Sequence, residues 1–139
     1  MNKKKSTLNT RGQSFKTSKN FYESLNYAYS GIVYCFKYSR NFRIQILCSL
    51  ITIFLGRLLK LNGIESIVIL ATVFSVLILE ILNTSIESLV DLVVGNKYSK
   101  LAKICKDCSA ASVLIASINS IFVAAYIFFP KIKIIFQNQ

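Results

Sequence analysis

The sequence predicts an all-α integral membrane protein: an N-terminal amphipathic surface helix followed by three transmembrane helices. Three observations carry this. First, 53% of the 139 residues are apolar and only 17% are charged, where soluble domains carry about 25% charged, and the mean hydropathy is +0.50. Second, the apolar residues gather in three blocks, 44–59, 64–94 and 109–129. Third, the basic residues are unevenly placed, with nine of 17 before Ile44. A soluble helical bundle of this size would leave too much apolar surface against water.

The first residues are polar and basic, with Lys3, Lys4, Lys5 and Arg11, so 1–14 is expected to be disordered. No apolar stretch follows Lys5, so this start is not read as a cleavable signal peptide. Residues 15–139 are read as one membrane-embedded domain. The surface helix is expected over about 15–38. There Phe21, Leu25, Ala28, Ile32 and Phe36 form one helical stripe, edged by Tyr22, Tyr27, Tyr29, Tyr34 and Tyr38. With Lys37, Arg40 and Arg43 alongside, such a helix suits the headgroup layer.

The spans are expected at about 44–60, 64–94 and 106–129. The first is interrupted by Gln45 and Arg57, and the second is strongest from Ile67 to Leu79. The stretch 109–129 carries no charge over 21 residues, enough to satisfy the ~18-residue rule unaided. Ser112, Ala116, Ser120 and Ala124 recur along it every four residues, a spacing that lets helices pack closely in lipid. Asn119 is expected to make an interhelical hydrogen bond. Three spans put thirteen Lys and Arg on the N-terminal side against four on the other. The expected topology is a cytoplasmic N-terminus in the inner (plasma) membrane.

With no His in the chain, a His-based triad, a His-containing zinc site and a CxxCH haem motif are excluded. The net charge of +11 calls for an anionic partner, and the apolar blocks make that partner the bilayer rather than nucleic acid. Of the four cysteines, Cys105 and Cys108 form a CxxC. It lies on the reducing side with no βαβ pattern around it, so the cysteines are read as small apolar fillers.

Only six acidic residues exist, and three lie in EILNTSIESLVD, residues 80–91. At a helical repeat, Glu80, Asn83, Thr84, Glu87 and Asp91 fall within a face about 100° wide. Leu82, Ile86, Leu89 and Val93 take the opposite side. The stretch 64–94 would run about 46 Å as a helix, against a hydrocarbon core of ~30 Å. Its C-terminal end should therefore protrude, with Glu80 near the membrane boundary and Glu87 and Asp91 beyond it. Acidic residues at such a place are costly and usually functional. Carboxylates with an amide can hold Mg²⁺, and a carboxylate at the boundary can accept a proton from a lipid hydroxyl. The following loop has the opposite sign, with Lys97, Lys100, Lys103 and Lys106. Together they suit a polyphosphate at a membrane surface.

EILNTSIESLVD resembles the signature of the prokaryotic diacylglycerol kinase family, Glu-x-x-Asn-Ser/Thr-x-x-Glu-x-x-x-Asp on the second span. Arg40-Asn41-Phe42-Arg43-Ile44 before the first span and Lys106-Asp107 opening the third support it, and the resemblance covers about residues 20–128. It implies a homotrimer and transfer of the ATP γ-phosphate to a membrane lipid alcohol, diacylglycerol or undecaprenol. By the resemblance, Glu80 is the catalytic base. Glu87 carries the Mg²⁺ on the ATP phosphates. Tyr27, Tyr98, Lys106 and Asp107 contact ATP, and Asn83 and Asp91 complete the polar face. The chain departs from the family pattern at two places. Ser39 stands where many members have a second metal-binding glutamate, and Ser99-Lys100 replaces a His-Pro. Two other readings accompany the lipid kinase: a non-catalytic membrane protein of the same fold, and a membrane anchor binding lipid or nucleic acid through its basic N-terminus.

Overall fold

The computed structural model describes residues 21–95 and 97–137, whose regular structure is four α-helices. The chain divides into two units, residues 1–31 and 32–139. The expected disorder of 1–14 and the start of the surface helix at 15 lie outside the described residues. The described part of the first unit, residues 21–31, is helical throughout as the first part of α1 (Phe21–Tyr38).

The second unit holds the end of α1, then α2 (Arg40–Leu58), α3 (Gly63–Val94) and α4 (Lys100–Gln137). The stripe residues Ile32 and Phe36 are exposed within the chain, and Cys35 is the side chain of α1 that is buried. Ser39 caps α2: its hydroxyl accepts from the Phe42 N–H at 3.1 Å, satisfying one of the orphan donors of the first turn. The helix therefore begins four residues before the expected start of the first span.

Between α2 and α3 the chain reverses in four residues, 59–62. Lys60 adopts a left-handed φ of 51°. Its N–H bonds the Arg57 carbonyl, and the Leu61 N–H bonds the Gly56 carbonyl, the pattern of a Schellman stop. A Cβ at Gly56 would lie 3.0 Å from Leu61 Cδ1, so any larger residue there makes the Leu61 side chain shift. A capping box then starts α3: the Glu65 N–H donates to Asn62 Oδ1, and the Asn62 N–H donates to the Glu65 carboxylate. The α3 bounds match the expected second span within a residue.

α4 is longer than the expected third span at both ends, beginning at Lys100 and running through Pro130 to Gln137. A charge-free window measures the hydrocarbon crossing, whereas a helix continues into the headgroup layers wherever its backbone bonds are satisfied. Lys131, just past the proline, reaches back to Glu65 at 2.9 Å and ties the end of α4 to the start of α3.

Arg40–Leu58, Gly63–Val94 and Lys100–Ile135 are each long and apolar enough to cross a membrane, and the protein is a membrane protein. α3 packs against both α2 and α4, more extensively against α4. Its burial is inverted relative to a soluble helix. Leu82, Leu89 and Val93 face outward, while Glu80 is 2% and Asn83 6% exposed. The acidic face is thus the face turned toward the rest of the chain. The small-residue stripe of α4 is half-buried, but Ser120 and Ala124 line an open groove of about 400 Å³ rather than a tight seam. Asn119 is exposed within the chain, and a buried hydrogen bond from α4 to α3 comes from Ser109.

Candidate active site

The site forms where α3 leaves the apolar part of its run. The Glu80 carboxylate is met from outside its own helix by two donors. The Ser39 hydroxyl donates to Oε1 at 2.9 Å, and Gln45 Nε2 donates to Oε2 at 3.0 Å. Ser39 does both at once: its oxygen accepts from Phe42 through a lone pair, and its hydroxyl proton points at the carboxylate. Gln45 lies on the buried side of α2, and its Oε1 has no partner.

Cys35 closes the same neighbourhood. It is buried, and burial pushes its thiol above the usual range; a Thr84 side-chain hydrogen bond opposes this, and the Glu80 charge adds to it. The reading of the cysteines as fillers therefore holds for Cys35. Cys48, Cys105 and Cys108 are exposed within the single chain.

One helical turn further on, Asn83 links three elements of the site. Its Nδ2 donates to Glu87 Oε1 at 3.1 Å, a pairing that the i, i+4 spacing makes available. Its Oδ1 accepts from the Ser109 hydroxyl of α4 at 2.6 Å. That hydroxyl also lies 3.0 Å from the Lys106 carbonyl, but it has one proton, and the shorter bond goes to Asn83. The Asn83 amide is thereby fixed with its nitrogen toward Glu87.

Beyond Glu87, Lys106 Nζ sits between both oxygens of Asp91, at 2.9 and 3.1 Å. This pair is exposed and borders a cleft of about 480 Å³ at the α3–α4 turn. The cleft is lined by Asp91, Tyr98, Lys106 and Asp107, together with Lys97 and Lys103. Gly95, the cap of α3, holds a φ of 55°, a left-handed value that glycine tolerates and that lets the chain turn into this lysine-rich loop.

The structure thus brings together Asp91, Tyr98, Lys106 and Asp107 around one cleft, and joins Asn83, Glu87 and Ser109 just behind it. Glu80 sits further along the same face. Tyr27 is half exposed on α1 in the first unit. Ser39 as a partner of Glu80, and Gln45 and Ser109 as members of the site, are what the sequence reading missed.

For Mg²⁺ the donor set is sparse. No cluster of three His, Cys, Asp or Glu exists among the described residues. Mg²⁺ nonetheless accepts one or two carboxylates and completes its shell with water and substrate phosphates. Glu87 is a hard oxygen donor, half-buried and steadied by Asn83, and so fits that mode. The position of Ser39 offers the metal no carboxylate, because its hydroxyl is committed to Glu80.

A polar core inside three spanning helices, opening on a lysine-lined cleft, defines an integral membrane protein equipped for phosphate chemistry. The family model for prokaryotic diacylglycerol kinase matches residues 26–128. A diacylglycerol kinase of Synechocystis sp. is 40% identical over 122 residues, 88% of this chain and 70% of the relative. An undecaprenol kinase of Bacillus subtilis is 33% identical over 81% of this chain and 90% of the relative. A diacylglycerol kinase of Escherichia coli is 29% identical over 71% and 80%. The chain belongs to the prokaryotic diacylglycerol kinase family, as the EILNTSIESLVD signature implied, and it is a lipid kinase with ATP as phosphate donor.

Proposed function

We propose that the protein phosphorylates diacylglycerol to phosphatidic acid in the plasma membrane, working as a homotrimer with its N-terminus in the cytoplasm. The observation that carries the chemistry is the buried Glu80 carboxylate, which meets donors on both oxygens and pairs with no cation. Its remaining lone pairs are free to take a proton. The 40% identity to a diacylglycerol kinase favours that acceptor. The undecaprenol kinase relative supplies the second reading, with undecaprenyl phosphate as product.

In this mechanism the lipid hydroxyl arrives at headgroup level beside Glu80. The groove between α2, α3 and α4, which shares Gln45 with the carboxylate, receives the tail. Glu80 accepts the hydroxyl proton as the oxygen bonds to the γ-phosphorus. The bond from that phosphorus to the β-phosphate oxygen breaks, and ADP leaves. ATP enters from the cytoplasm into the lysine-lined cleft, with Tyr98, Lys106 and Asp107 as its contacts there. Lys106, held by Asp91 until then, turns to the phosphates. Glu87 would hold Mg²⁺, which supplies charge neutralisation on the phosphates, while Asn83 keeps that carboxylate aimed.

The test is transfer of label from γ-labelled ATP by purified protein in mixed micelles, with diacylglycerol and undecaprenol assayed side by side. Preferential labelling of diacylglycerol supports the proposal. Preferential labelling of undecaprenol replaces it with the second reading, and labelling of neither sinks both acceptors.

A further inference from the structure

Ser39 and Gln45 do not belong to the helix that carries the candidate base, yet they supply its two hydrogen bonds from α2 and its N-cap. The Ser39 hydroxyl donates to Glu80 while its oxygen accepts from the backbone N–H of Phe42, so one side chain ties the start of α2 to the orientation of Glu80. Gln45 gives its amide nitrogen to Glu80 although its own oxygen is left buried and unpartnered. Orphaned buried acceptors are unfavourable, and here the arrangement that orphans one is the arrangement that restrains Glu80. Both donors are neutral, so they restrain the carboxylate without cancelling its charge, as a lysine would.

We propose that Ser39 and Gln45 are positioning residues for the transfer step. They clamp the Glu80 carboxylate from the α2 side and leave its remaining lone pairs turned toward the acceptor hydroxyl. Gln45 also lines the groove beside Glu80, so the clamp adjoins the space assigned to the lipid. The proposal rests on Glu80 being the base. It is specific to a chain with a hydroxyl at residue 39, because a carboxylate there would repel Glu80 instead of donating to it.

The experiment measures kcat and the KM for ATP in mixed micelles for wild type, Glu80→Gln, Ser39→Ala, Ser39→Thr and Gln45→Met, with thermal unfolding of each in detergent. The clamp predicts that Ser39→Ala and Gln45→Met each lower kcat about 10- to 100-fold, the range expected for a misplaced catalytic group. The KM for ATP should stay near wild type. Ser39→Thr, which keeps both the cap and the hydroxyl donor, should restore most of the lost kcat. Unchanged kcat in Ser39→Ala and Gln45→Met, with Glu80→Gln inactive, overturns the clamp and leaves the base. Activity surviving in Glu80→Gln overturns both. A loss in Ser39→Ala that follows its thermal midpoint, with no rescue by threonine, shows a helix cap and nothing more, and also overturns the clamp.

Discussion

Two of the three glutamates of α3, Glu65 and Glu80, lie fifteen residues apart, both bonded to groups outside α3, and they are held in opposite ways. Glu65 sits in the first turn, where it completes a capping box and pairs with Lys131. Its charge is answered by a cation and by the positive end of the helix. Glu80 lies about 22 Å along the same helix, is almost wholly buried, and is answered by two neutral donors. A carboxylate neutralised by a lysine is a structural tie. One restrained by neutral hydrogen bonds keeps lone pairs for the base role proposed for Glu80. The comparison teaches that the kind of partner, more than burial, distinguishes the two glutamates.

The sharpest way to break this comparison is at Glu80. Glu80→Gln should lower kcat by about 100-fold or more, with the KM for ATP and the thermal midpoint close to wild type. The structure also says why the variant should fold. An amide at residue 80 would set its nitrogen against a donor, but Gln45 has a spare Oε1 and can turn its own amide to accept. A steady-state assay beside thermal unfolding decides the matter. Activity within about tenfold of wild type would remove Glu80 from the base role.

Glu87 comes next. Glu87→Gln keeps the contact with Asn83 but removes the charge, so the Mg²⁺ and ATP concentrations for half-maximal rate should rise together. Titrations of each at fixed levels of the other check this. Unaltered titrations would place the metal away from Glu87. Ser109→Ala probes the same carboxylate indirectly. It strips Asn83 Oδ1 of its buried donor, which should cost about 1–3 kcal/mol of stability. It should also raise the KM for ATP, because Asn83 is then free to turn its nitrogen away from Glu87.

What was legible in the sequence was whatever repeats along one helix. The 67–79 run and the twelve residues after it placed α3 within a residue and put Glu80, Asn83, Glu87 and Asp91 on one face. The lysine-rich loop announced the cleft. Contacts between helices were not legible. Ser39 and Gln45 lie 41 and 35 residues from Glu80, and no periodicity links them. Ser39 looked like a missing metal ligand because only its type was visible. Its geometry makes it a helix cap and a donor at once. Ser109 passed for one more small residue at the start of a span, while Asn119, the more conspicuous polar residue on that helix, turned out to face outward. The ends of α4 lie beyond the expected span because charge marks where lipid stops, and the helix goes on past that point.

The smallest expected effect lies at the other glutamate. Glu65→Gln should retain the capping box, since glutamine can also reach back to the helix-start N–H, and should lose only the ion pair with Lys131. Lys131→Met loses the same ion pair from the other side and keeps its aliphatic length. Both variants should therefore show similar, slight drops in thermal midpoint, and the drops should shrink in high salt, which already screens an accessible pair in the wild type. Glu65→Ala should fall further than either, because it removes the cap as well. None of the three should change kcat or the KM for ATP, since no hydrogen bond or ion pair connects the Asn62–Glu65–Lys131 group to Glu80. The double variant Glu65→Gln with Lys131→Met should be no worse than the single ones, as expected when two substitutions delete one shared interaction. Should kcat fall in Glu65→Gln while the thermal midpoint holds, the two ends of α3 are coupled, and the division between a mechanical and a chemical glutamate fails.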